Sequence, residues 1–75
     1  MIQELYVMLL SEAEAEKNKA LLSLELLGNK GVGIGDHTTG DFYKNATEAL
    51  TMLADADDKI ETLEKYFKNK TRLNG

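Results

Sequence analysis

Cysteine and proline are both absent from this 75-residue chain. Without cysteine, neither a disulfide framework nor a thiolate metal site can form, and the composition suits a reducing compartment. Without proline, the strongest helix breaker is missing, and the dense glycine run lies in mid-chain, between residues 28 and 40. The two long stretches on either side of that run are therefore predicted to be helical.

An excess of positive charge and a long apolar run are lacking as well. The net charge of −4 argues against a general affinity for nucleic acid, which requires a basic face. The longest apolar run, residues 5–10, is too short to cross a membrane, and no basic segment precedes it as in a signal peptide. We therefore expect a soluble cytoplasmic protein with neither a nucleic-acid nor a membrane partner.

The first predicted helix covers about residues 2–27, which are rich in leucine, glutamate, alanine and lysine. Gly28 follows the last leucines and suits the left-handed position that ends a helix. A capping-box pattern that begins at Ser11 leaves open whether residues 1–10 continue this helix. The second predicted helix runs from about residue 40 to 70, after a connection over residues 28–40.

The second predicted helix carries an apolar stripe with a period of 3.5 residues, at Phe42, Ala46, Ala49, Leu53, Ala56, Ile60, Leu63 and Phe67. Such a stripe is typical of a helix that lies along another helix. The first predicted helix offers a matching stripe at Ile2, Tyr6, Leu9, Ala13, Ala20 and Leu27. The fold class is thus predicted to be all-α, with residues 1–75 forming one antiparallel two-helix hairpin.

The two stripes also predict a register for the hairpin. If Leu27 lies opposite Phe42 beside the connection, small residues meet small ones in the middle and large residues meet large ones at the ends. The remaining predicted pairs are Ala20 with Ala49, Ala13 with Ala56, Leu9 with Ile60, Tyr6 with Leu63, and Ile2 with Phe67.

Of the large apolar residues that lie outside both stripes, ten form one predicted set: Val7, Met8, Leu10, Leu21, Leu22, Leu26, Tyr43, Leu50, Met52 and Tyr66. This is too many for the outer surface of so small a monomer. A single seam also cannot offset an ordering cost of about 1.5 kcal/mol per residue. We therefore predict a non-enzymatic, homo-oligomeric interaction module that uses these ten residues as its interface. Its simplest form is a two-fold dimer that makes a four-helix bundle.

The glycine-rich connection is a candidate ligand site, with Lys30, Gly31, Gly33, Gly35, Asp36 and His37 as its residues. Glycines let backbone amides approach an anion, and the start of the following helix offers a positive dipole end. The G-x-G-x-G order matches neither the dinucleotide fingerprint nor the phosphate loop. The alternative, which we favour, is that Val32 and Ile34 plug the open end of the bundle.

Six acidic residues gather at the middle of the predicted hairpin: Glu12, Glu14, Glu16, Asp55, Asp57 and Asp58. Bundles that bind two metals use a Glu-x-x-His motif, which is missing, so a solvated acidic girdle is expected. Glu16 interrupts the first stripe opposite Leu53; inside an oligomer it would either pair with Lys17 or Lys19 of a neighbouring subunit or mark the register of the seam. No catalytic residue, metal or cofactor is predicted.

The segment from Leu26 to Phe67, in which GNKGVGIGDH leads into an acidic heptad-bearing helix, resembles small helical-hairpin proteins of tailed phages, especially marine ones. This resemblance implies a viral origin, a location in the host cytoplasm, and a host or virion protein as partner. Ala49-Leu50-Thr51-Met52-Leu53, with Ala56 and Ile60, is similar to the hairpin motif of phage proteins that sequester cyclic nucleotide signals between subunits. The alternative function is therefore a small-ligand binder for a nucleotide or anion, using the connection and the subunit interface.

Overall fold

The computed structural model describes residues 1–30 and 39–68, which form two long helices. Helix α1 spans Gln3–Lys30 and helix α2 spans Thr39–Tyr66. The helices pack against each other along their length, in a molecule that measures 57 × 13 × 13 Å. The predicted all-helical hairpin is confirmed for the described part of the chain. Neither of its helices is long and apolar enough to cross a membrane.

Helix α1 is one continuous element that extends past both predicted boundary signals. It runs through Ser11 without a break, so residues 3–10 belong to it. At the other end it continues through Gly28 to Lys30, and no described glycine has a positive φ. Gly28 is exposed, and a Cβ atom at that position would meet nothing within 4 Å. No neighbouring group therefore prevents the helix from continuing through Gly28. A glycine within a helix lowers helix stability by only about 1 kcal/mol relative to alanine.

The part of the chain that the structure describes has six buried apolar side chains: Tyr6, Ala13, Ala20, Ala49, Ala56 and Leu63. All six come from the two predicted stripes, and together they make three of the predicted pairs. Four of the six are alanines, so the apolar volume enclosed between the helices is small. The hairpin thus has a narrow seam rather than a full hydrophobic core.

Two ion pairs join the helices across the hairpin: Lys17 Nζ to Asp57 Oδ1 at 3.5 Å, and Lys59 Nζ to Glu16 Oε1 at 3.3 Å. Side chains on a helix point back toward its N-terminus, so each charged group lies about one turn before its own Cα atom. Both ion pairs therefore meet near the level of Ala13 and Ala56, in agreement with the predicted register. Within the chain, Glu16 pairs with Lys59 of the other helix. Its pairing with Lys17 or Lys19 of a neighbouring subunit stays a prediction.

The seam does not extend to the first residues of the chain. Ile2, predicted to face Phe67, is 66% exposed. The backbone carbonyl of Ile2 accepts a hydrogen bond from the N–H of Tyr6 at 3.1 Å, yet Ile2 itself precedes the first helical residue. The helical repeat therefore does not direct its side chain toward the seam, and the buried part of the hairpin ends at Tyr6 and Leu63.

Candidate functional site

Large apolar side chains are more numerous on the surface of the described hairpin than in its seam. Of the ten residues predicted to form an interface, nine are exposed, with exposed fractions between 41% for Met52 and 62% for Tyr43. The tenth, Leu10, is half-buried. Ile2 and Leu5 add two further exposed side chains that were not among the ten. Within residues 1–30 and 39–68, Tyr6 and Leu63 are the two residues larger than alanine that are buried in the seam.

These exposed side chains fall into two zones, one toward each end of the rod. The loop-side zone comprises Leu21, Leu22, Leu26, Tyr43, Leu50 and Met52, and the terminal zone comprises Ile2, Leu5, Val7, Met8 and Tyr66. An aromatic pair lies near each end: the rings of Phe42 and Tyr43 are 5.6 Å apart, and those of Tyr66 and Phe67 are 6.4 Å apart. Each zone includes residues from both helices.

The waist between the zones, residues 11–19 of α1 and 54–59 of α2, carries no apolar side chain larger than alanine. All six acidic residues of the predicted girdle lie there. Glu16 and Asp57 are paired with Lys59 and Lys17, and the other four acidic residues are exposed. Among the described residues, no group of three metal-ligating side chains is placed to hold a metal ion.

A groove runs along one side of the hairpin, and we call this side the groove flank. Its terminal section, about 320 Å³, is bordered by Leu9, Ala13 and Leu63, and its loop-side section, about 430 Å³, by Leu26, Leu27, Ala49 and Met52. A middle section, bordered by Glu16, Lys19, Asp55 and Lys59, shares Lys59 with the first section and Met52 with the second. The three sections therefore lie in a row along one flank. Apolar side chains border the two end sections, together with Glu12 and Asp58 at one end and Glu48 at the other, and charged side chains border the middle.

We call the opposite side of the hairpin the bridged flank; like the groove flank, which has the Lys59–Glu16 pair, it has one ion pair between the helices. The Lys17–Asp57 ion pair crosses it, and a depression there is bordered mostly by polar side chains: Glu14, Lys17, Asn18, Ile60 and Glu64. At about 100° per residue, Leu50 lies about 160° around its helix from Met52, and Leu21 lies about 140° around its helix from Leu26. Leu50 and Leu21 therefore belong to the bridged flank, whereas Met52 and Leu26 border the groove.

The predicted ligand site lies largely outside the described residues. Lys30 is the last residue of α1. Gly31, Gly33, Gly35, Asp36 and His37 are not described, and neither are Val32 and Ile34 of the alternative plug. Both interpretations of the connection stay predictions.

Sequence reasoning missed Leu5 and the difference between the two flanks. The signal for Leu5 was present, because Leu5, Glu12, Lys19 and Leu26 follow one another at intervals of seven residues on one edge of the stripe. Reading the two edges of each stripe separately would have found it. The groove itself depends on how alanines and long side chains fill the space between the helices, which a linear pattern does not reveal.

Comparisons with models of protein families, with curated proteins and with solved structures find no match to this chain. The resemblance to phage hairpin proteins therefore stays a prediction.

Proposed function

We propose that this chain is a non-enzymatic helical module that self-associates through its exposed apolar residues. Its simplest assembly is a two-fold dimer in which two hairpins make a four-helix bundle. The observation that carries this proposal is the pair of apolar zones on a hairpin in which four of the six buried side chains among the described residues are alanines. The phage resemblance supports a host or virion protein as a further partner of the assembly.

The energetics of the seam support self-association. Full burial of a large apolar side chain contributes about 1.5–3 kcal/mol, whereas an alanine contributes far less. Among the described residues, Tyr6 and Leu63 are the large side chains that are buried, and the other large seam residues are half-buried. The isolated hairpin therefore gains little against the entropy of ordering two 28-residue helices. Burial of the two apolar zones between copies supplies the missing stabilisation, so folding and association are coupled.

Thermal unfolding, followed by circular dichroism at several protein concentrations, tests this coupling. A protein whose folded state is an oligomer has a midpoint temperature that rises with concentration, because dilution favours the dissociated, unfolded chain. We expect the midpoint temperature to rise steadily as the protein concentration is increased about a hundredfold. A midpoint that does not change over that range contradicts the proposal, since a self-sufficient monomer unfolds independently of concentration.

A further inference from the structure

We infer that the second copy covers the groove flank, and that the bridged flank stays open to solvent. This inference rests on the proposed self-association and goes beyond it by naming which of two apolar-edged flanks forms the contact. It also predicts how the two copies are oriented.

The groove flank gives access to the seam itself. Leu9 and Leu63 border the groove at one end, and Leu27 borders it at the other. The depression described on the bridged flank has one seam side chain at its border, Ile60. The small side chains Ala13 and Ala49 leave the groove unfilled between the helices. A second hairpin laid on this flank turns the narrow seam into the four-sided core of a bundle.

The bridged flank offers less to a second copy. Lys17 and Asp57 join the two helices across it, with their charged groups 3.5 Å apart and their side chains 41% and 57% exposed. The groove flank carries a similar ion pair, Lys59–Glu16, so the ion pairs do not distinguish the two flanks. The other charged groups bordering the depression of the bridged flank are both carboxylates, Glu14 and Glu64, and a two-fold copy laid there brings no further lysine to replace their water. Removing charged groups from water is costly unless new partners replace the water.

Charge at the middle of the groove supports a second copy as the occupant. Lys19 of α1 and Asp55 of α2 border the same section, and neither forms an ion pair within the described residues. A two-fold axis along the hairpin, with both connections at the same end, places α1 of one copy over α2 of the other. Lys19 then faces Asp55 of the second copy, and the symmetry repeats this pair.

Matched substitutions on the two flanks test the inference. Met52→Glu and Leu26→Glu alter the groove flank, whereas Leu50→Glu and Leu21→Glu place the same charge on the bridged flank. The four side chains are comparably exposed, at 41%, 48%, 58% and 44%. In sedimentation equilibrium we expect each groove-flank variant to raise the dissociation constant by about tenfold or more, because a carboxylate is buried in the contact. Each bridged-flank variant should change it by less than about threefold.

Other results of the same experiment overturn the inference. Equal weakening by all four variants means that the contact involves both flanks, and weakening by the Leu50 and Leu21 variants alone places it on the bridged flank. In both cases the proposed self-association stands. A wild-type chain that is a folded monomer overturns the proposed function itself.

A charge exchange at exposed positions keeps the test independent of folding. Lys19→Asp and Asp55→Lys should each weaken association, and the two together should restore it, because the pair is re-formed with its charges exchanged. If the double variant associates as weakly as the sum of the two single effects predicts, the two-fold arrangement is overturned.

Discussion

Lys59 Nζ lies 3.3 Å from Glu16 Oε1 and joins α2 to α1 at the waist of the hairpin. Glu16 occupies a stripe position that most long heptad seams fill with an apolar residue. The ion pair explains how the seam accommodates this carboxylate without a buried, unpaired charge. Since the lysine side chain is 59% exposed, the pair is a surface interaction and contributes less than about 1 kcal/mol.

Substitution of Glu16 tests that assignment. Glu16→Gln should lower the free energy of unfolding by less than about 1 kcal/mol, because it removes an exposed ion pair. Glu16→Leu should raise the free energy of unfolding by about 1 kcal/mol, because it completes the apolar stripe. Urea unfolding at fixed protein concentration measures both. Glu14→Gln is the control, because Glu14 is an exposed carboxylate on the bridged flank with no ion pair among the described residues. Marked destabilisation by Glu16→Leu contradicts the assignment.

The alanines of the seam should not tolerate enlargement. Ala56 is completely buried, so Ala56→Leu should push the helices apart and lower the free energy of unfolding by about 1–3 kcal/mol. Ala54→Leu is the matched control, because Ala54 is exposed on the same helix. The two urea midpoints should differ clearly. If Ala56→Leu is as stable as the control, the close approach of the helices at the waist is wrong.

Gly28 provides a test of where α1 ends. It lies inside the helix, with no neighbour within 4 Å of an added Cβ atom. Gly28→Ala should therefore raise the free energy of unfolding by about 0.5–1 kcal/mol and slightly increase the helical circular-dichroism signal. A loss of about 1 kcal/mol is the contrary result, expected if Gly28 adopts the left-handed conformation that the sequence suggested.

Shortening the connection separates the two predicted functions. Replacing residues 31–38 by a short glycine–asparagine turn should leave the oligomer mass unchanged, because the proposed interface lies on the helices. If the connection instead binds an anion or nucleotide, the parent chain should show a thermal shift with ATP or cyclic nucleotides. Lys30→Ala combined with His37→Ala should then abolish that shift. A concentration-independent, ligand-dependent stability would favour the ligand-binding alternative over self-association.

The periodic features of the fold could be predicted from sequence, because heptad spacing directly reports which side chains share one edge of a helix. Tyr6, Ala13 and Ala20 followed from this, as did the placement of most exposed apolar residues. The end of α1 did not, because the glycine signal at residue 28 depends on local backbone conformation and not on spacing. The Glu16–Lys59 pair could not be predicted from spacing alone, because it depends on how the side chains lean along each helix toward its N-terminus. The groove could not be predicted either, because it depends on how the side chains fill the space between the helices.

Sedimentation equilibrium of the wild-type chain at low micromolar concentration tests the central claim most directly. The account predicts a mass that is a whole multiple of 8.3 kDa, most simply twice that value, with dissociation on dilution. A well-folded helical protein that sediments as a single chain throughout would contradict it, because the exposed apolar zones would then need no second copy.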